Sequence, residues 1–183
     1  VNRGNSGWPI FVANLRVKAD NGEGPFDVDY DNTGRQEDLP TGSGFWAVEP
    51  SVTAIIPSDP VVFFANLGYQ WNIAEDVDRN IEGFGGRVGE VDPGDSIQTS
   101  LGMGLGLNEQ ASINLGYQHD VVLETETEIA GVTQSSDISQ VGSLLLGFSY
   151  KWNDRVSTLF NLSIGATEDA PDTRLTLTVP VTF

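Results

Sequence analysis

From Thr173 to Phe183 every second residue is apolar. Leu175, Leu177, Val179, Val181 and Phe183 fall on one side of an extended chain; Arg174, Thr176, Thr178, Pro180 and Thr182 fall on the other. A period of two is that of a β-strand whose faces meet different surroundings. The alternation recurs in seven further segments, and this repeat constrains the fold most strongly. A strand apolar on one face only must bury that face or set it in lipid.

The segments fall at about 8–19, 45–57, 61–73, 96–107, 111–124, 140–152, 156–166 and 173–183. In the fourth, Ile97, Leu101, Met103, Leu105 and Leu107 oppose Gln98, Ser100, Gly102, Gly104 and Gly106. In the fifth, Ile113, Leu115, Tyr117, Val121 and Leu123 oppose Ser112, Asn114, Gly116, Gln118 and Asp120. No run approaches the roughly 18 apolar residues of a spanning helix. Barrel strands escape that test, because only alternate residues face lipid.

The connections discriminate between architectures. Pro57–Pro60, Asn108–Gln110 and Asn153–Arg155 read as tight turns. Between them lie longer polar connections at about 20–44, 75–95, 125–139 and 167–173. Short and long connections alternate, as the inner turns and outer loops of outer-membrane barrels do. The long connections, with Glu124, hold 21 of the 26 acidic residues, so the negative charge gathers at one end. The expected fold is all-β: an antiparallel up-and-down transmembrane β-barrel in the bacterial outer membrane, a single domain over residues 1–183. Eight strands are visible. The absence of a basic-then-apolar leader at Val1 reads as a signal peptide already removed.

Aromatic residues agree with that placement. Trp46, Tyr69 and Trp71 lie at the outer rim, and Trp8, Tyr150, Trp152 and Phe183 at the inner, periplasmic rim. Amphipathic rings prefer these interfaces. The net charge of -17 argues against nucleic acid as a partner. With no cysteine, disulfides and thiolate metal sites are excluded. Membrane lipid and lipopolysaccharide are the expected partners. The assembly machinery of the outer membrane would read the last strand, and a homo-oligomer through strand edges stays open.

Several segments resemble the phenol-degradation meta-pathway family of outer-membrane transporters: Gly7–Lys18, Gly24–Val28, Leu39–Trp46, Ser58–Phe64 and Leu115–His119. More distantly they are similar to the long-chain fatty-acid transporters. The resemblance implies a barrel of about a dozen strands, of which this chain would be the C-terminal part or a shortened form. Asn2–Gly7 reads as a turn from a preceding strand.

Candidate chemistry is sparse. Arg16, Lys18, Glu49, Asp120, Glu124, Lys151 and Arg174 fall on the inward face, either as a structural network of ion pairs or as a constriction that selects solutes by sign. His119, the only histidine, points outward by parity, away from Ser112 and Asp120, so no catalytic triad forms and no enzyme activity is expected. Asp27, Asp29, Asp31 and Asp38 half match a calcium loop, but Asn32 stands where that loop uses Gly. Specific metal binding and cofactors are not expected. The inward glycines leave two readings, an open lumen or a tightly coiled sheet. The expected function is passage or binding of small, apolar or aromatic solutes without catalysis. The alternative is a structural or interaction barrel presenting acidic outer loops.

Overall fold

The computed structural model describes residues 8–31, 35–81 and 86–182. Twelve strands are found among them. The first six are β1 (Ile10–Lys18), β2 (Ala47–Ser58), β3 (Val61–Asn72), β4 (Glu75–Ile81), β5 (Gly86–Asp92) and β6 (Ser96–Gly106). The others are β7 (Ala111–Val122), β8 (Glu126–Ile129), β9 (Val132–Ser135), β10 (Ser139–Lys151), β11 (Ser157–Gly165) and β12 (Thr173–Thr178). The fold is all-β and antiparallel throughout.

Eight strands form one up-and-down sheet in the order β1-β2-β3-β6-β7-β10-β11-β12. They are the eight segments that the alternation marks. Two short turns share one device. At the β6–β7 turn, Asn108 Oδ1 accepts hydrogen bonds from the backbone N–H of Gln110 and Ala111, both at 2.8 Å. At the β10–β11 turn, Asn153 Oδ1 accepts from the N–H of Arg155 and Val156 at 2.9 and 3.0 Å. An Asn side chain that mimics a backbone turn is why so few residues suffice there.

The last strand stops earlier than the alternation to Phe183 suggests. Regular pairing ends at Thr178, because Pro180 has no N–H to donate to a ladder. The chain then follows β11 more loosely, with Val181 bridged to Val156 and Thr182 N donating to Arg155 O at 2.8 Å. Phe183 and the Asn2–Gly7 turn lie outside the described residues.

Register aligns the inward residues in rows across the sheet. One row runs Ile10–Ile55–Phe64–Gly102–Gly116–Leu145–Ser163–Arg174, through all eight strands. A neighbouring row runs Pro57–Val62–Gly104–Asn114–Gly147–Asn161–Thr176. In a flat sheet Phe64 and Thr176, five strand spacings apart, would be separated by about 24 Å. Both border one cavity of about 430 Å3, so the sheet is strongly coiled with these rows on its concave face. Among the described residues no ladder joins β1 to β12.

Two of the connections expected as polar loops are in fact hairpins. β4–β5 and β8–β9 pair into a second, four-stranded sheet, ordered β4-β5-β8-β9, at the end of the molecule away from the tight turns. Its apolar side chains are few, which hid the pattern, but they converge. Val88 is fully buried and Val91 nearly so; they pack with Phe45, and Phe26, Tyr30 and Val77 close over them. Phe26 meets Phe45 edge-on at 6.2 Å, and Arg79 Nη1 donates to Phe26 O at 2.6 Å, fastening the long connection between β1 and β2 to this sheet. The only cluster of buried apolar side chains among the described residues is therefore here, outside the eight-stranded sheet.

Candidate binding site on the inner face

The concave face is built on glycine. Gly102 and Gly116 form the floor beneath the ring of Phe64: a Cβ on Gly102 would lie 2.8 Å from Phe64 Cε2 and 2.7 Å from Leu115 O. A Cβ on Gly104 would meet Asn114 Oδ1 at 2.9 Å, and one on Gly147 would meet Asn161 Oδ1 at 3.2 Å. The inward glycines thus make room for three side chains of neighbouring strands to lie across the sheet. Of the two readings of the glycines, close coiling under bulky neighbours describes these three positions. Nothing approaches Gly106, where a Cβ would find open space.

Two cavities adjoin on this face. The larger, about 430 Å3, is bordered by Phe64, Leu145, Asn114, Asn161, Arg174 and Thr176. The smaller, about 270 Å3, is bordered by Gln118, Asp120, Ser143, Leu145, Ser163 and Arg174. A third hollow, about 490 Å3, lies against Leu101, Met103, Leu115, Tyr117 and Leu144 on the outward side and is lined almost wholly by apolar atoms.

The inward charges do not form one network. Arg16 pairs with Glu49 directly across β1–β2. Lys151 reaches past the end of the sheet, its Nζ donating to Asp154 Oδ1 at 2.7 Å in the short turn. The ammonium holds the Asp154 carboxyl below its usual range. Lys18 and Arg174 have no ion-pair partner among the described residues. Asp120 Oδ2 accepts from Gln118 Nε2 at 2.9 Å, while its Oδ1 is buried with no donor among the described residues. Parity places Arg174 and Asp120 on the inner face; only the coiled structure sets both against one cavity. Phe64 and Leu145 escaped notice as site residues, although the parity that turns Asn66 and Gly147 inward turns them inward too.

The aromatic residues flank the sheet. Trp8, Trp46, Trp71 and Trp152 are all exposed, Trp152 at 62%. Trp152 Nε1 donates to Thr158 Oγ1 at 2.9 Å, and its ring meets Tyr150 at 4.8 Å. Tyr69 OH donates to the Asp95 carboxylate. His119 lies on the outer face beside Tyr117, its Nδ1 3.0 Å from the hydroxyl.

In the 27–38 segment the carboxylates serve the loop itself. Asp27 Oδ2 accepts from Gly24 N at 3.0 Å, and Asp31 Oδ1 from Arg35 N at 2.9 Å. Asp29 contributes its backbone carbonyl to Glu37 N at 2.9 Å. Among the described residues no three or more potential ligands, Asp38 included, converge on a point.

No described helix is long and apolar enough to cross a membrane, which leaves crossing by strands untouched. Residues 26–183 match the model of the family described as "Putative MetA-pathway of phenol degradation". The match takes in every strand but β1, both cavities and the four-stranded sheet. The chain belongs to this family.

Proposed function

We propose that the chain forms the wall of a bacterial outer-membrane β-barrel that passes or binds small, weakly polar or aromatic solutes for phenol breakdown, without catalysing a reaction itself. One observation carries this reading. Among the described residues the eight-stranded sheet packs neither face against protein, yet its outward face is largely apolar, broken by Thr99 and His119 toward one end, with Leu15, Leu67, Leu101, Leu175 and Leu177 each about 60–69% exposed. A contiguous apolar surface of that extent is foreign to a water-soluble monomer, and lipid is the solvent that suits it. The concave face over β6, β7, β10, β11 and β12 carries mainly glycines and polar side chains, with Leu145 among them and Phe64 beside them, which suits a path for weakly polar solutes. β1 and β12 run in opposite senses, so the eight strands can close antiparallel and leave no free edge in lipid.

The ordered acidic sheet favours a second reading, an interaction barrel that displays Glu90, Asp92, Glu126 and Glu128 to a partner. These four border a small hollow of about 130 Å3. Swelling of liposomes containing the refolded chain, in a series of sized solutes, separates the two. Swelling supports the solute path; insertion without swelling favours the interaction role; a chain that stays in water without detergent defeats both.

A further inference from the structure

The chain is strongly acidic, but the wall around its inner face is not. The eight strands of the larger sheet hold four of the nine basic residues, Arg16, Lys18, Lys151 and Arg174. They hold only two of the 26 acidic ones, Glu49 and Asp120. A chain of net charge -17 therefore has a wall of formal charge +2. All six charges fall on the inward side by alternation; Arg16 stands opposite Glu49, and Arg174 borders both concave cavities. Lipid explains why no Asp, Glu, Lys or Arg of these strands faces outward. It does not explain the sign, because the lumen tolerates an inward carboxylate as well as an inward cation, and the chain has 26 acids against nine bases.

Pairing leaves that sign in place. Arg16 is matched by Glu49, and Lys151 by Asp154 in the adjoining turn. Lys18 and Arg174 remain, against Asp120. Both are exposed, hydrated side chains at the outer ends of their strands, placed to meet a passing ion. β1 and β12 end the strand order, so closure of the barrel makes them neighbours. These two strands carry Arg16, Lys18 and Arg174 and no acid, which gives the path a basic flank. The acids of the outer end stand in water on connections and on the four-stranded sheet, where salt screens them beyond about 8 Å. Charges on the wall act at contact range on an ion confined between strands, and rings of Arg and Lys are what anion pores use.

We infer that the inner face forms a path that passes small monoanions in preference to cations of the same size, the reverse of what the net charge implies. This rests on the barrel reading and adds to it the sign of the charge that the path favours.

The test is the reversal potential of the refolded chain in planar bilayers under a roughly tenfold KCl gradient, with about 0.1 M on the dilute side. Chloride should pass in preference to potassium by about twofold or more. Lys18→Gln combined with Arg174→Gln should abolish or invert that preference. Asp120→Asn should raise it by about twofold, an opposite shift that a merely structural role would not produce. Glu90→Gln combined with Asp92→Asn, an equal change of charge in the outer sheet, should leave the ratio within about 1.5-fold of wild type. A potassium preference in the wild-type chain, a measurement that needs no variant, overturns the proposal. So does a shift from the outer pair as large as that from Lys18 and Arg174, because the outer end would then set the sign. Entry into bilayers, shown by the heat-modifiable gel shift, without any conductance sinks the path and spares the barrel. A chain that never enters them sinks both.

Discussion

Phe64 and Gly102 face each other across the β3–β6 ladder, and the ring of the first occupies the space where a side chain on the second would stand. The pair ties the sheet's curvature to its inner surface. A bulky inward residue is tolerated only because the neighbouring strand is bare beneath it, and an aromatic covering a cross-strand glycine shields backbone that would otherwise be open.

Gly102→Ala should therefore cost about 1–3 kcal/mol, since both a ring and the backbone oxygen of Leu115 must move. Gly106→Ala, where nothing lies within 4 Å, should stay within about 0.5 kcal/mol of wild type. Urea unfolding in liposomes would rank them, and adding Phe64→Leu to Gly102→Ala should restore part of the loss. Equal costs at both glycines would mean that Phe64 does not lie over β6.

The outward face should reject charge. Leu105→Arg and Leu146→Arg should each cost about 2–4 kcal/mol near the bilayer midplane. Gly104→Ser, on the inner face, should be milder, because the atom it meets is the far end of the Asn114 side chain. Comparable penalties on the two faces would reverse the assignment of inside and outside.

The four-stranded sheet should yield independently of the larger one. Val88→Asp places a charge in a fully buried position and should open the packing of Phe26 and Phe45. Limited proteolysis of intact cells or proteoliposomes should then cut within residues 20–45 about tenfold faster, while the heat-modifiable gel shift of the folded barrel persists. Loss of the gel shift as well would show that the two sheets fold as one unit.

The two asparagine turns should behave alike. Asn108→Ala and Asn153→Ala each remove an acceptor of two backbone bonds and should each cost about 1–2 kcal/mol. Unfolding midpoints of the single and double variants check this. A silent Asn108→Ala beside a costly Asn153→Ala would break the equivalence of the turns.

Divalent cations should bind the acidic outer end weakly and without saturating a single tight site, since Asp27 and Asp31 already accept hydrogen bonds from the loop backbone. A one-to-one micromolar calcium site in titration calorimetry, lost in Asp29→Ala, would restore the 27–38 segment as a metal loop.

The eight strands of the larger sheet, their order and the face of each residue in them were legible in the sequence, because side-chain alternation is a local property of extended backbone and survives any tertiary arrangement. Leu105 and Gly104 could be assigned opposite faces from their positions alone. The tight turns were legible for the same reason: Asn108 and Asn153 act within three residues of themselves. What only the tertiary structure decided are relations that depend on register and coiling. Phe64 meets Gly102 because β3 and β6 pair in one register out of several, and Asp120 shares a cavity with Arg174 because the sheet curls across the strands between them. The outer sheet was hidden for a different reason. Val77, Val88 and Val91 are too widely spaced among acidic residues to make a pattern, and they form a core only when Phe26 and Phe45 are brought to them from a distant connection.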